Sequence, residues 1–582
     1  MHDLKSLVPY MMRYRAKLAL GTLAIVITTL LSLTQPYLIG SAVDKMKPDG
    51  SQNDIALIAA LILALAALQA VVDFFGRYLI NHVSRVVEYE LRNDLFAHLQ
   101  RMGQGFFQGL HTGDIMARAT NDLSAVRGFL GPGISNSVRT MLMFILASAL
   151  MVGINLPLAL ILMFFMPLVT IAFVIIGRKM HARYENVQAQ FGRLSTYSQE
   201  NFSGIRVVKA YAQEEYEVKH FAAANRDYLR HSLEYQRLNQ LLWPMMSLVL
   251  GLAAVSILWV GGTEVVNGQL TIGQFIQFNG YLMMLSFPMI ALGWVVSLYQ
   301  QGAASMHRIR ELMGKTTKIA DSISTQEVKS IRGDIRFANV SLHYDQRPVL
   351  KGVTFHAPAG STLAIVGLTG AGKTSIVNLI ARVHEAQEGH VLVDGIDVRR
   401  IPLAVLRRNI GYVPQDTFLF STSLSENVSF GVDEPQQAMV ARASQVSRLS
   451  KDLDQFPEGL DTVIGERGVT LSGGQKQRTA LARAVMRDPA ILILDDALSS
   501  IDTHTQSEIL AGLREVMKDR TSIIISQRIS TVKDADQILV LQDGVIAESG
   551  THPELVAGRG IYAKMYRREL LSSELGVDPL EE

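Results

Sequence analysis

Residues 471–502 read LSGGQKQRTALARAVMRDPAILILDDALSSID, and the rest of the chain is organised around them. The run Ile491-Leu492-Ile493-Leu494 is short, wholly apolar and rich in β-branched residues, which predicts a buried strand. It ends in two carboxylates, Asp495 and Asp496. A strand ending in Asp inside a nucleotide-binding fold sets Mg²⁺ beneath the nucleotide phosphates. Ahead of it, Ser472-Gly473-Gly474 forms a turn into a helix, and a Ser/Gly turn at a helix N-terminus is a ready anion site.

A second phosphate-binding pattern lies upstream. The apolar segment Leu363-Ala364-Ile365-Val366 runs into Gly367-Leu-Thr-Gly-Ala-Gly-Lys373-Thr374, the GxxxxGK[ST] pattern, followed by a helical sequence. Glycines let backbone N–H groups curl around phosphates, Lys373 reaches the β- and γ-phosphates, and the Thr374 hydroxyl binds Mg²⁺. The expected ATP contacts are Gly367, Thr369, Gly370, Ala371, Gly372, Lys373, Thr374 and Ser375. The strand–loop–helix setting, with LILDD downstream, makes this a nucleotide site and not a chance match.

With 582 residues the chain is too long for one core, so two or more domains are expected. Charged residues make up 19% and hydrophobic residues 48%, fewer charges than the roughly 25% of a soluble protein, which places part of the chain in lipid. The net charge of +2 gives no reason to expect nucleic acid. With no cysteine there is neither a disulfide framework nor a thiolate metal site. The N-terminal MHDLKSLVPYMMRYRAK is amphipathic and basic without a cleavable apolar core. It reads as a helix on the cytoplasmic membrane surface rather than a signal peptide.

A membrane span needs about 20 apolar residues. Uncharged stretches between Lys17 and Asp44, from Ile55 to Val72 and on to about Ile80, between Arg139 and Arg178, between Arg237 and Glu264, and after Gln269 predict six spans. The long third stretch is broken at Gly153-Ile-Asn-Leu-Pro157, a turn that makes it a hairpin of two spans, and Pro288 predicts a kink in the last. Basic residues crowd segments 81–138 and 178–237, whereas the outer loops carry only Lys45 and Lys47. Those two segments and both termini therefore face the cytoplasm. Their helical periodicity extends the spans well beyond the lipid.

Asp73 and Arg77, four apart on the second span, predict an ion pair along one helix face. Gln274, Gln277, Tyr281 and Met283-Met284 of the last span suit an adaptable cavity or ordinary packing equally, and are not assigned as sites. From Arg310 to Arg332 the apolar periodicity stops, and this segment reads as a linker.

Taken together, these motifs resemble those of the ABC ATPases, and with six spans fused ahead of the motor the chain is identified as a member of the ABC exporter half-transporters, of the multidrug-exporter type. The resemblance implies Tyr344 stacking on adenine, Gln415 as the Q-loop residue beside Mg²⁺ and the γ-phosphate, and Thr374, Gln415 and Asp495 around the metal. It implies that Leu471, Ser472, Gly473, Gly474 and Gln475 form the signature acting on a partner's ATP, and that Asp502 lies in the D-loop. Gly465-Glu-Arg-Gly468 would contact the cytoplasmic arms. Phe106-Phe107 with Thr112-Gly113-Asp114 and Arg118 to Asp122, and the segment Glu200 to Glu215, resemble coupling regions at the arm tips. A solvated arm with no transmitting role is the alternative there.

Two positions depart from the family pattern. Where the family has Glu after the Walker B Asp, this chain has Asp496, which withdraws the carboxylate by about one C–C bond, ~1.5 Å. A misplacement near 1 Å can cost on the order of 100-fold. Where the family has its switch histidine, this chain has Gln527, which can hydrogen-bond the γ-phosphate but cannot relay a proton. With the signature intact, the pattern is that of the degenerate-site subunit of a heterodimer, whose partner would carry the intact Glu and His. A slowly hydrolysing homodimer, a lipid flippase and a siderophore importer on the same scaffold are the alternatives.

The sequence thus predicts a multi-domain chain: a six-helix all-α transmembrane domain with long cytoplasmic extensions at 1–310, a linker at 311–332, an α/β P-loop ATPase domain at 333–572 and a tail at 573–582. The expected cofactors are ATP and Mg²⁺. The expected surroundings are a lipid bilayer, by analogy the bacterial inner membrane, with a hydrophobic small-molecule, lipid or peptide substrate. No peptidase domain ahead of the spans points to peptide processing.

Overall fold

The computed structural model describes the chain from Asp3 to Leu575, apart from residues 47–51, 318, 322–324, 345–346 and 466–470. It divides into two compact units, one comprising residues 1–100 and 111–315, the other residues 101–110 and 316–582.

The first unit is helical. Its long helices are Arg15–Lys45, Gln52–Gln100, Ile134–Ile154, Leu156–Ser203, Glu214–Val266 and Ile272–Met313. Among the described residues four helical stretches are long and apolar enough to cross a membrane: Arg15–Lys45, Gln52–Gln100, Thr112–Ile154 and Glu214–Val266. The 49 residues of Gln52–Gln100 span about 74 Å at 1.5 Å per residue, more than twice the ~30 Å hydrocarbon core, so this helix extends far beyond lipid. The hairpin turn falls at Asn155, whose side chain accepts from Leu158 N at 3.0 Å and caps the helix containing Pro157 at its start.

Small residues set the spacing of these helices. A Cβ on Gly21 would lie 2.7 Å from Ile80 Cγ1, and one on Gly273 only 2.1 Å from Gly40 O, so backbones approach where side chains vanish. Asp73 pairs with Arg77 at 2.7 Å, as expected, and also with Arg139 of the Ile134–Ile154 helix. Tyr281 is buried and donates to Leu33 O at 2.9 Å, while Gln274 completes a capping box with Thr271, so both have structural partners. Helix Ile272–Met313 contains Pro288 and continues past Arg310, and the predicted linker starts correspondingly later.

The second unit holds two sheets. Strands β1 (Ile335–Tyr344), β2 (Arg347–Ala357), β4 (Glu388–Val393) and β5 (Ile396–Asp397) form an antiparallel sheet in the order β2-β1-β4-β5. Strands β3 (Thr362–Gly367), β6 (Ile410–Val413), β7 (Ile491–Asp495), β8 (Thr521–Ile525), β9 (Gln537–Gln542) and β10 (Val545–Gly550) form the other in the order β10-β9-β3-β8-β7-β6. All its neighbours are parallel except β10. Because side chains alternate along a strand, Ile365, Ile493 and Ile523 enter the core shared with the antiparallel sheet. Ala364, Val366, Leu492, Leu494 and Ile524 enter a second core with the helices on the other face. A parallel sheet covered on both faces presents its ligand site at the carboxyl ends of its strands.

Candidate functional site

The residues singled out from sequence converge on that edge. Strand β8 lies between β3 and β7, with Ile525 beside both Ile365 and Asp495. The phosphate loop after Gly367, the carboxylates Asp495-Asp496 and Gln527 therefore emerge side by side, at spacings of about 5 Å per strand.

The phosphate loop is shaped by glycine. Gly367, Gly370 and Gly372 have φ of +151°, +82° and +101°. A Cβ on Gly367 would lie 2.2 Å from Leu541 O, whereas one on Gly370 would meet nothing within 4 Å. The first glycine thus serves close packing and the second leaves open space for a ligand. Lys373, the first residue of helix Lys373–Ile380, is buried, and its Nζ donates to Gly367 O at 2.8 Å and Leu368 O at 2.9 Å. Burial pushes the Lys373 pKa down, while the charges of Asp496 and Asp495 oppose that shift.

Asp495 is 1% exposed, and its Oδ2 has no hydrogen-bond partner among the described residues. Burial raises its pKa, the Thr374 hydroxyl acts in the opposite direction, and the neighbouring Asp496 charge raises it further. An orphaned carboxylate oxygen beside a hydroxyl is an oxygen donor set fit for a hard dication, which would also relieve the carboxylate's desolvation. Among the described residues there is no cluster of three or more His, Cys, Asp or Glu placed to hold a metal ion.

Asp496 adopts φ +49°, a left-handed conformation that Asp tolerates better than most residues. Its N–H donates to Ile525 O at 2.9 Å and its carbonyl accepts from Ser499 Oγ at 3.0 Å. Burial raises its pKa, with Lys373, Arg528 and the Gln527 backbone pulling the other way. Asp496 and half-buried Gln527 line one small cleft with Ser499, Gln506, Ser526 and Arg528.

The Tyr344 hydroxyl sits 3.4 Å from Ser375 Oγ, and its ring packs edge-on to His384. Gln415 is exposed in the loop after β6. Sequence reading missed Tyr412 on β6, whose hydroxyl donates to Asn378 Oδ1 at 3.4 Å and whose pKa is driven up by burial first and then by the Asp495 charge. Its signal was only its position in Gly-Tyr-Val-Pro-Gln415.

Ser472 caps helix Gly473–Met486: its Oγ accepts from Gln475 N at 3.2 Å, and Gln475 Oε1 accepts from Ser472 N at 3.0 Å. Leu471 is buried in a small cluster with Leu419, Leu424 and Ile464. A Cβ on Gly474 would lie 3.2 Å from Ser500 O, so the loop after β7 rests on the start of this helix. Asp502 is exposed and caps helix Thr503–Met517, accepting from Thr505 N at 2.8 Å, and that bond holds its pKa down. Residues 466–468 of the Gly465–Gly468 motif lie outside the described residues.

Residues 18–289 match the family model described as ABC transporter transmembrane region, and residues 350–499 match the one described as ABC transporter. A Bacillus subtilis relative, the probable multidrug resistance ABC transporter ATP-binding/permease protein YheI, is 35% identical over 98% of this chain and 99% of its own length. The chain belongs to the ABC transporter family. This ABC transporter is also 32% identical to an ATP-dependent lipid A-core flippase of Syntrophus aciditrophicus, over 96% of this chain and 93% of that one. A solved bacterial Atm1-family ABC exporter with ATP bound superposes with a TM-score of 0.81 at 29% identity, over 95% of this chain and 99% of its own. The transporter therefore combines a helical transmembrane domain with an ATP-binding domain in one polypeptide.

Proposed function

We propose that this transporter exports hydrophobic or amphiphilic compounds by ATP-driven alternating access, as the degenerate-site half of a heterodimer in a bacterial inner membrane. The observation that carries the reading is the shared cleft of Asp496 and Gln527 beside an intact signature helix opened by Ser472 and Gly473. In this reading six spans cross the bilayer, including helices Leu156–Ser203 and Ile272–Met313, and the ATPase domain faces the cytoplasm. The exposed Phe202, Val207 and Tyr211 of the second arm would supply its coupling surface.

ATP would lie with adenine on Tyr344 and phosphates on Gly367 to Ser375, where Lys373 exchanges its carbonyl partners for phosphate oxygens. Thr374, Asp495 and Gln415 would hold Mg²⁺, which neutralises phosphate charge when bound. The short Asp496 side chain leaves the attacking water poorly aimed, and Gln527 holds the γ-phosphate without relaying a proton. This chain's ATP then clamps the pair, while Leu471 to Gln475 complete a competent site on a partner carrying Glu and His. Relatives named for multidrug resistance and for lipid flipping support an amphiphilic substrate.

The test uses the assembled transporter in proteoliposomes. Ser472→Arg should depress turnover at least about tenfold further than Asp496→Ala. Near-equal losses from the two would overturn the asymmetric scheme, and flux measured in vesicles of defined orientation decides export.

A further inference from the structure

We propose that Glu569, on the C-terminal helix Ile561–Leu575, is a positioning residue for Gln527. The inference rests on the reading of Gln527 as a γ-phosphate contact. Glu569 Oε2 accepts from Ile529 N at 2.5 Å and Oε1 accepts from Ser530 N at 3.0 Å. These are the first amides of the short helix Ile529–Val532, which begins two residues after Gln527. That helix has no side-chain cap from its own N-cap residue, Arg528. A carboxylate forty residues away in sequence supplies it. Charge-assisted bonds to two helix-end amides, one of them on fully buried Ile529, are among the stronger ones a loop can have.

The rest of the frame around Gln527 is equally fixed. On one side, Ser526 Oγ accepts from Arg528 N at 3.0 Å, and Asp496 N holds Ile525 O at 2.9 Å. On the other, buried Gln506 accepts from Arg528 Nη1 at 3.3 Å and donates to Thr531 Oγ1 at 2.7 Å. Gln527 is therefore held on a short arch with one foot on β8 and the other on Glu569. The second foot is anchored through the C-terminal helix, whose Tyr562 is fully buried in the core on that face of the sheet. Without Glu569 the helix start has two uncapped amides, and the arch can tilt Gln527 away from the phosphate.

The experiment is photolabelling of this polypeptide by 8-azido-ATP in the assembled full-length transporter, competed with ATP or with ADP. Glu569→Ala should raise the ATP needed for competition about fivefold while ADP competition shifts by less than about twofold, because only ATP has the γ-phosphate. Gln527→Ala should show the same selective loss, and the double variant should be no worse than Gln527→Ala alone, the signature of one residue acting through another. Glu569→Asp should retain part of the preference. Should Glu569→Ala fail to assemble, Glu569→Gln, which keeps shape but loses charge, is expected to shift ATP in the same direction. Parallel shifts for ATP and ADP, or additive losses in the double variant, overturn the proposal. A loss in Gln527→Ala with none in either Glu569 variant overturns it while sparing the role of Gln527. No loss in Gln527→Ala overturns both.

Discussion

Gln477 Nε2 donates to Ser499 Oγ at 3.1 Å, and Ser499 Oγ in turn donates to Asp496 O. Gln477 Oε1 also accepts from Ser500 N at 3.0 Å, so one buried amide ties the signature helix to the loop behind this chain's own carboxylates. Gln477→Leu removes the bonds to Ser499 and to the exposed Ser500 and places an alkyl group in their stead, at a cost of about 0.5–1.5 kcal/mol. We expect a lower thermal midpoint together with reduced ATP turnover in the assembled transporter. A variant as stable and active as the parent would show the tie to be incidental.

On the proposed reading of Asp496, lengthening the short acid should raise turnover at this site. Asp496→Glu combined with Gln527→His is expected to raise ATP turnover by about 10- to 100-fold at this site if misplacement is the defect. Each change alone should give less. The repaired variant should also unfold slightly earlier, because Glu is less at ease than Asp at φ +49°. Turnover measured on the single and double variants decides the matter.

Burial raises the folded-state pKa of Asp495, so the native state binds its proton more tightly than the unfolded chain does. The sign is fixed by linkage: nucleotide-free stability is undiminished below the ordinary carboxylate pKa and falls as pH rises through the raised value. Asp495→Asn should therefore raise the thermal midpoint of the nucleotide-free protein at neutral pH, with the gain shrinking as pH falls toward 4, the ordinary carboxylate range. The same variant should lose the stabilisation that Mg²⁺ with ATP confers. Midpoints recorded across pH, with and without nucleotide, test both halves.

Two glycines of the phosphate loop should behave oppositely. Gly367→Ala drives a methyl into Leu541 O and should prevent stable folding of the ATPase domain. Gly370→Ala meets open space, so its fold cost is only the positive φ, about 1 kcal/mol, while ATP binding should fall steeply. Circular dichroism and nucleotide binding on the two variants separate packing from recognition.

In the transmembrane unit, Asp73 is shared by Arg77 and Arg139. Asp73→Ala should destabilise the detergent-solubilised transporter by about 1 kcal/mol, since it leaves half-buried Arg139 without its counter-charge while the exposed Arg77 loses little. Adding Arg139→Leu should restore part of the loss. A purely additive double variant would argue against the pairing.

Local patterns made much of this readable from sequence. Gly367 to Thr374, Leu471 to Gln475 and Asp495-Asp496 are contiguous, and their chemistry depends on neighbours a few residues away. What stayed hidden depends on strand order and long-range contact. Nothing in the sequence says that β8 enters between β3 and β7, which is what brings Gln527 to the carboxylates. The Arg139 partner of Asp73 is 66 residues distant, and Glu569 carries no motif because any acid at the right point of the C-terminal helix would serve. Tyr412 was invisible because an aromatic on a strand is ordinary until the fold sets it within the influence of the Asp495 charge.

The left-handed turn at residue 496 gives this pocket a direction of drift. A compact acid rests there with little torsional protest, so a lineage that loses the long acid also gains a slightly calmer resting fold. Going back requires a strained backbone to be tolerated between turnovers, and only a working water-aiming role would reward it. In the asymmetric pair proposed above, a subunit that does not fire its own stroke would tend to remain a clamp.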